Sequence, residues 1–233
     1  MKILAIDSSG LTASVAVVTE DQMIAEYTIH HKKTHSQTLL PMIDEIVKMT
    51  DLNLEDMDAI AVAAGPGSFT GLRIGSATAK GLGFALNKPL IHIPTVDAMA
   101  YNFYGSNRLI CPMLDARREH VFTGIYSFHK DEFIVESAAE ALAVIDIIEK
   151  LNHYNREVIL LGDGVKAYQH LIEENMKVPY QLAPIHHTNQ RAGSVGALAL
   201  EYYKNGRIET AADHVPDYFR LSQAERELAE RSI

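Results

Sequence analysis

Hydrophobic and polar positions along the chain change period several times, and these periods predict alternating strands and helices. Three apolar runs near the N-terminus are separated by short polar turns, which favours a meander of sequential strands. Leu39, Ile43 and Ile46 then recur at the spacing of one helix face. An apolar run over 58–64 predicts a buried strand, and a helix over 70–86 follows it. The predicted strands of the first half are 2–7, 13–19, 23–29, 58–64 and 89–93, and the predicted helices are 36–49, 70–86 and 95–103.

The second half repeats this order of elements without a detectable repeat in the residues themselves. It is predicted to hold strands at 109–114, 120–128, 132–137 and 158–161, and helices at 138–151, 165–175 and 194–204. Two halves with the order βββαβα predict an α/β protein with two lobes, each a mixed sheet, around a cleft. That arrangement is typical of the actin, hexokinase and Hsp70-like (ASKHA) fold.

We expect three regions along the chain. Residues 1–104 are predicted to form the N-terminal lobe and 105–215 the C-terminal lobe. The tail 216–233 is predicted to return to the N-terminal lobe, with a short helix over 224–231.

The amino-acid composition excludes several classes of protein. Of the 233 residues 47% are hydrophobic, enough to fill a sizeable core. The single cysteine, Cys111, excludes an internal disulfide and fits a reducing compartment. No N-terminal signal and no apolar run of spanning length is visible, so we expect a cytoplasmic protein with no membrane partner. The net charge of −9 argues against strong autonomous binding to nucleic acid.

The most specific segment is the glycine block Gly-Pro-Gly-Ser-Phe-Thr-Gly-Leu-Arg-Ile-Gly over 65–75. A strand, a glycine-rich turn and a helix in that order often hold a phosphate at the helix N-terminus. No Lys-Ser or Lys-Thr pair closes the loop, so it is not a P-loop. Small residues then continue every four positions along one helix face, which suits close approach by another backbone. Phosphate binding, internal packing and partner docking all remain open for this block.

Two turns are candidates for nucleotide or phosphate contact. Asp7 ends the first predicted strand and is followed by Ser8 and Ser9, where a phosphate-binding hairpin of this fold would carry a glycine. The corresponding turn of the second lobe carries Arg117 and Arg118, which suit a phosphate or a partner carboxylate. An ordinary strand-end acid and a solvated turn are the alternative interpretations.

The chain resembles the bacterial TsaB (YeaZ) family over nearly its whole length. The glycine block carries most of this resemblance because it is long. The weaker matches are Ile6 to Ser9, His35 to Pro41, Asp115 to Glu119, Gly162 to Gly164 and Pro216 to Arg220. The resemblance implies a subunit of the machinery that forms N6-threonylcarbamoyladenosine at position 37 of tRNAs reading codons that begin with A.

The resemblance also implies partners and the absence of catalysis by this chain alone. The family is described as a non-catalytic paralogue of TsaD, required for TsaD to work with the ATPase TsaE and the synthase TsaC. We therefore expect a TsaD heterodimer, a ternary complex with TsaE, tRNA contact only through that complex, and a homodimer when TsaD is absent. The alternative is an enzyme of the same superfamily, either a metal-independent peptidase or an ATP-dependent small-molecule kinase.

No cofactor and no resident metal are expected. The catalytic paralogue uses a His-x-x-x-His pair on the helix that here begins near Thr95, and this helix contains no histidine. His31 and His35 have the i, i+4 spacing but lie across a Lys-Lys loop. Cys111 is expected to be a core residue, and Ser68 does not lie in a Gly-x-Ser-x-Gly elbow.

The partner surface is predicted on two helices, about 36–49 and 70–86, packed side by side. Small residues would let a partner helix come closer than the usual 8–10 Å axis separation. The alternative is that this small face packs against the protein's own sheet. The residues predicted to form the interface are Leu39, Ile43, Gly71, Leu72, Gly75, Ala79, Leu82 and Gly83.

Overall fold

Two five-stranded mixed sheets with the same strand order form the protein. In this computed structural model, residues 1–31 and 34–219 are described. The first sheet has the order β3-β2-β1-β4-β5, and the second, written in the same sense, has the order β8-β7-β6-β9-β10. In each sheet the first three strands pair antiparallel and the last two join them in parallel. This confirms the two-lobed α/β fold of the actin, hexokinase and Hsp70-like class.

The elements follow one another in a duplicated order. The first half contains β1 (Lys2–Asp7), β2 (Thr12–Thr19), β3 (Met23–His30), α1 (His35–Thr50), β4 (Ala59–Gly65), α2 (Phe69–Leu86), β5 (Leu90–Pro94) and α3 (Thr95–Tyr101). The second contains β6 (Leu109–Arg117), β7 (His120–His129), β8 (Glu132–Ala143), α4 (Val144–Tyr154), β9 (Val158–Leu161), α5 (Asp163–Ala167), α6 (Gln169–Asn175), β10 (Tyr180–Leu182) and α7 (Ala192–Lys204). Short 3₁₀ turns lie at Leu54–Asp56 and Ile185–His187.

Helices cover both faces of the first sheet, so its central strands are buried throughout. One face, with Leu4 and Ile60, packs under α1 and α2. The other face, with Ala5 and Ala61, packs under α7. Near-continuous hydrophobic strands are the expected consequence of burial on two sides.

Helix α7 lies on the first sheet although it falls within the range 105–215 that the sequence assigned to the second lobe. Arg191, just before the helix, pairs with Glu26 on β3. The Ala192 amide donates a 2.9 Å hydrogen bond to the Ser14 hydroxyl. Gly196 approaches Val18 so closely that a Cβ atom would meet its methyl groups. The chain therefore crosses back well before residue 216.

The structure differs from the predicted elements in three places. The predicted helix over 138–151 is wrong in its first part, because residues up to Ala143 extend β8 and pair with β7. Strand pairing here overrides the helix propensity of an alanine-rich segment. The predicted helix over 165–175 is broken at Tyr168 into two helices. Strand β10, which pairs with β9, was not among the strands predicted from the sequence.

The predicted helix over 224–231 lies outside the described residues. Within the described residues, none of the helices is both long and apolar enough to cross a bilayer.

Candidate functional site

The glycine block between β4 and α2 packs against this chain's own β1–β2 turn. The Ser68 amide donates a hydrogen bond of 2.6 Å to the Ser9 carbonyl oxygen. The Ser8 hydroxyl donates one of 2.9 Å to the Gly71 carbonyl oxygen. A Cβ atom on Gly67 would lie well under 3.0 Å from the Ser9 carbonyl oxygen, and one on Gly71 would lie equally close to that of Ser8. The β1–β2 turn is thus in direct backbone contact with the start of α2.

The small-residue face of α2 points into the molecule, which corrects the residues predicted for the partner surface. Gly75 lies against Ser8 and Val62, and Gly83 lies against Leu90. Leu39, Ile43, Gly71, Leu72, Gly75, Ala79 and Gly83 are buried, and Leu82 is partly buried in the same cluster. The physical reason is that α1 and α2 must cover one face of the first sheet, and small residues let α2 lie close to it.

The opposite face of these two helices is exposed and contains its own small residues. On α2, Ala77, Gly81 and Ala85 recur every four positions, and a Cβ atom on Gly81 would meet nothing within 4 Å. Two large apolar side chains are also exposed on this pair of helices, Leu40 on α1 at 56% exposure and Phe84 on α2 at 62%. Large exposed apolar side chains beside a small-residue stripe are a feature of interaction surfaces.

Asp7 is a fully buried carboxylate at the end of β1. Its Oδ1 accepts hydrogen bonds from the Ser9 amide at 2.9 Å and the Ser9 hydroxyl at 2.7 Å. Its Oδ2 has no hydrogen-bond partner among the described residues. Burial raises the pKa of Asp7 to about 6, against the lowering effect of the Ser9 hydrogen bonds and of His35. A buried carboxylate with a free oxygen costs stability, which favours a role other than packing.

The cleft between the lobes opens in front of the β1–β2 turn. It has a volume of about 630 Å³, and its lining includes Ser9, His35, Asp115 and Arg117. The Asp115 carboxylate accepts hydrogen bonds from the Tyr168 hydroxyl and pairs with the Arg117 guanidinium, both within 2.9 Å. Asp115 and Asp163 therefore both face this cleft. The arginine of the cleft, Arg117, already has Asp115 as its carboxylate partner.

The β6–β7 turn brings only one of its two arginines to the cleft. Arg117, Arg118 and Glu119 all adopt positive φ angles, between 56° and 66°. Three consecutive non-glycine residues in the left-handed region store backbone strain of about 1 kcal/mol or more each. Arg117 lines the cleft, whereas Arg118 is not among its lining residues. The structure thus brings the Asp7 turn and Arg117 to the same cleft; their role in contacting a nucleotide stays a prediction.

Helix α3 lies in the interior between the two sheets. Its residues 95–100 are all buried, and Val96 and Met99 pack against β6 and β7. The Tyr126 hydroxyl donates a 2.7 Å hydrogen bond to Asp97, whose pKa is raised by burial. The helix on which the paralogue is expected to hold its metal is, in this chain, part of the core.

The other single residues considered from the sequence have structural roles. Cys111 is buried, and burial raises the pKa of its thiol to about 12. The Ser68 hydroxyl caps α2 by accepting from the Gly71 amide. His35 Nε2 lies 2.8 Å from the Gly10 carbonyl oxygen, so it bonds to the β1–β2 turn.

The segment 208–219 wraps along α2 and β5, and so reaches the N-terminal lobe before residue 216, where the predicted tail begins. Glu209 exchanges two 2.9 Å backbone hydrogen bonds with Leu90, and the Asp217 amide donates to the Ala64 carbonyl oxygen at 2.8 Å. The Tyr218 hydroxyl accepts from the Arg73 guanidinium at 3.1 Å. This bond gives Arg73, near the start of α2, a partner from the segment 208–219. The motif Pro-Asp-Tyr-Phe at 216–219 was the available signal.

Comparison with known proteins identifies the family. A family model described as "TsaD: tRNA N6-adenosine threonylcarbamoyltransferase" matches residues 22–228. The tRNA threonylcarbamoyladenosine biosynthesis protein TsaB of Bacillus subtilis (strain 168) is 34% identical over 228 residues, which cover 97% of this chain and 96% of that protein. The protein of the same name from Escherichia coli (strain K12) is 31% identical over 179 residues, 75% of this chain and 77% of that protein. The solved structure of YeaZ from Pseudomonas aeruginosa superposes with a TM-score of 0.78 at 26% identity, over 94% of this chain and 100% of that chain. The chain belongs to the TsaB (YeaZ) family.

Proposed function

We propose that this chain is a non-catalytic subunit required for forming N6-threonylcarbamoyladenosine at position 37 of tRNAs that read codons beginning with A. It acts by binding and activating TsaD together with TsaE, and contacts tRNA only through that complex. The observation that carries the proposal is the composition and packing of helix α3. The chain matches the transferase model over most of its length, yet α3 has no histidine and is packed as core around the Asp97–Tyr126 hydrogen bond.

Reconstitution tests the requirement for this chain. Purified TsaC, TsaD, TsaE, tRNA, threonine, bicarbonate and ATP are incubated with and without it, and the modified nucleoside is quantified by mass spectrometry. We expect modification only when this chain is present. Equal modification in its absence would refute the proposal, and modification by this chain without TsaD would make it an enzyme.

The exposed face of α1 and α2 is proposed as the TsaD contact. Leu40 and Phe84 supply apolar area there, and Ala77, Gly81 and Ala85 let a partner helix approach. This replaces the buried face that the sequence had favoured. The same exposed face would also support a homodimer when TsaD is absent.

Gly81→Arg is expected to abolish TsaD binding without unfolding the chain. Position 81 has open space around it, and arginine is a better helix former than glycine by about 1 kcal/mol. Gel filtration with TsaD and the thermal unfolding midpoint are measured together. Ile185→Arg, at a 91% exposed position of the second lobe, is the matched control and should still bind TsaD. Retained binding by Gly81→Arg would place the interface elsewhere.

A nucleotide-dependent kinase is the second candidate, because the cleft is large enough for a nucleotide and the turn that follows Asp7 lines it. We expect the isolated chain to bind Mg-ATP weakly and not to hydrolyse it, since α2 begins against Ser9 and aspartates face the cleft. Calorimetric titration measures the affinity. A submicromolar Kd would favour the kinase.

A further inference from the structure

Three metal-ligating side chains from distant parts of the sequence meet beside α2. His92 lies on β5, and Glu209 and His214 lie on the segment 208–219. One ligand atom of each lies within 4.8 Å of the other two. We infer that His92, Glu209 and His214 form a zinc-binding site that fastens the segment 208–219 to the first lobe. The inference does not depend on the proposed function.

Two distances between the ligand atoms bracket the spacing around a tetrahedral ion, one shorter and one longer. Glu209 Oε1 lies 2.6 Å from His214 Nδ1 and 3.9 Å from His92 Nδ1. Ligand atoms about 2.0–2.1 Å from a tetrahedral zinc lie roughly 3.3 Å from one another. The distance to His92 is too long for a hydrogen bond. A small shift of the Glu209 carboxylate away from His214 and toward His92 would make both spacings suitable.

The other nitrogen of each imidazole has a partner of the kind that orients a metal ligand. His92 Nε2 lies 2.8 Å from Asp217 Oδ2, and His214 Nε2 lies 2.9 Å from the Ser76 hydroxyl. With Nδ1 as the ligand atom, each Nε2–H donates to an oxygen. At His92 this is a carboxylate–histidine–metal arrangement, which fixes the tautomer and the orientation of the ring.

The ligand chemistry favours a transition metal over magnesium or calcium. Two imidazoles and one carboxylate suit zinc, whereas magnesium and calcium prefer oxygen ligands alone. His214 is fully buried, while the side chains of His92 and Glu209 are about one-quarter exposed. Water can therefore reach the fourth position. The neighbouring Lys80 ammonium donates to the carbonyl oxygens of Ala212 and His214.

The sequence-based expectation of no resident metal applied to the whole chain, and this inference departs from it because His92, Glu209 and His214 come together only in the tertiary structure. A zinc ion here would hold in place the segment whose Tyr218 ring packs against Phe69 at the start of α2, with 4.7 Å between the ring centroids. The site would therefore stabilise the packing of this segment along α2.

Zinc titration of untagged, EDTA-treated protein tests the site. We expect saturable binding of one zinc ion per chain, competition with a chromogenic chelator, a rise in the thermal midpoint on adding zinc, and tetrahedral absorption bands when cobalt replaces zinc. His92→Gln should weaken binding by about 100-fold or more. Asp217→Asn should weaken it by about 10-fold, since outer partners contribute about 10- to 100-fold.

Two further variants keep the result decisive. His186→Gln changes a histidine whose ring also lies beside another, His187, and should bind zinc like the unmodified chain. The double variant His92→Gln/His214→Gln, with its fold checked by circular dichroism, should not bind. If His214→Gln prevents folding, His92→Gln and Asp217→Asn carry the test. Absence of one-to-one binding, or equal uptake by His92→Gln and unmodified protein, would overturn the inference.

Discussion

Gly71→Ala is expected to destabilise the protein by about 2–3 kcal/mol, although alanine is the best helix former. A Cβ atom at this position would lie far inside contact distance of the Ser8 carbonyl oxygen. That obstacle is backbone, and the Ser8 hydroxyl already bonds to Gly71, so neither side can yield without separating α2 from the β1–β2 turn. Urea unfolding measures the change as a shift in midpoint at constant m-value.

Gly81→Ala is the matched control on the same helix. Nothing lies within 4 Å of a Cβ atom at position 81, so the substitution should stabilise the protein by up to about 1 kcal/mol. Opposite signs at two glycines ten residues apart would establish that one face of α2 is core and the other is free. Equal effects at the two positions would contradict the backbone contact between Gly71 and Ser8.

Asp7→Asn is expected to stabilise the protein by about 1–3 kcal/mol at pH 8 and to change little near pH 4. The folded-state pKa of Asp7 is about 6, above the ordinary value of 3.8. Between these values the unfolded chain releases the proton while the folded chain retains it, so stability falls as pH rises. Above pH 6 the cost is constant, at about 1.4 kcal/mol per pKa unit. Asparagine keeps an acceptor for Ser9 and removes the charge.

Unfolding free energies of the two proteins at pH 4, 6 and 8 test this dependence. Asp21→Asn, at an exposed carboxylate on the β2–β3 turn, is the control and should track the unmodified chain. A difference between Asp7→Asn and the unmodified chain that is the same at all three pH values would show that the buried carboxylate is not responsible. If Asp7 takes part in binding at the cleft, Asp7→Asn should also lower tRNA modification in the reconstituted mixture, although it is the more stable protein.

The period of the apolar positions was sufficient to predict most elements. The three-strand meander, the strand before the glycine block and α2 follow from patterns local in the sequence, because each element buries one face or both. The repeated βββαβα order then predicted the two-lobed fold. The helix predicted for residues 138–143 was wrong because contacts distant in the sequence determine their conformation. Their alanines favour a helix locally, but pairing with β7 determines their conformation.

The site depended far more on tertiary structure. The sequence identified the small-residue face of α2 but did not show whether that face points to the core or to solvent. A stripe of glycine and alanine suits packing on the protein's own sheet as well as contact with a partner. The structure shows the sheet and the β1–β2 turn on that face. The exposed stripe of Ala77, Gly81 and Ala85 is offset by two residues and looked unremarkable in the sequence.

By itself the sequence determined the family, the order of elements and the absence of a histidine pair on α3, since these are properties of residue type and local spacing. Only the tertiary structure decided which oxygen of Asp7 lacks a partner, which arginine reaches the cleft, and that His92 meets Glu209 and His214. Those features join residues more than a hundred positions apart, or depend on burial. Both arise from the way sheets and helices pack, which the local pattern of one chain does not contain.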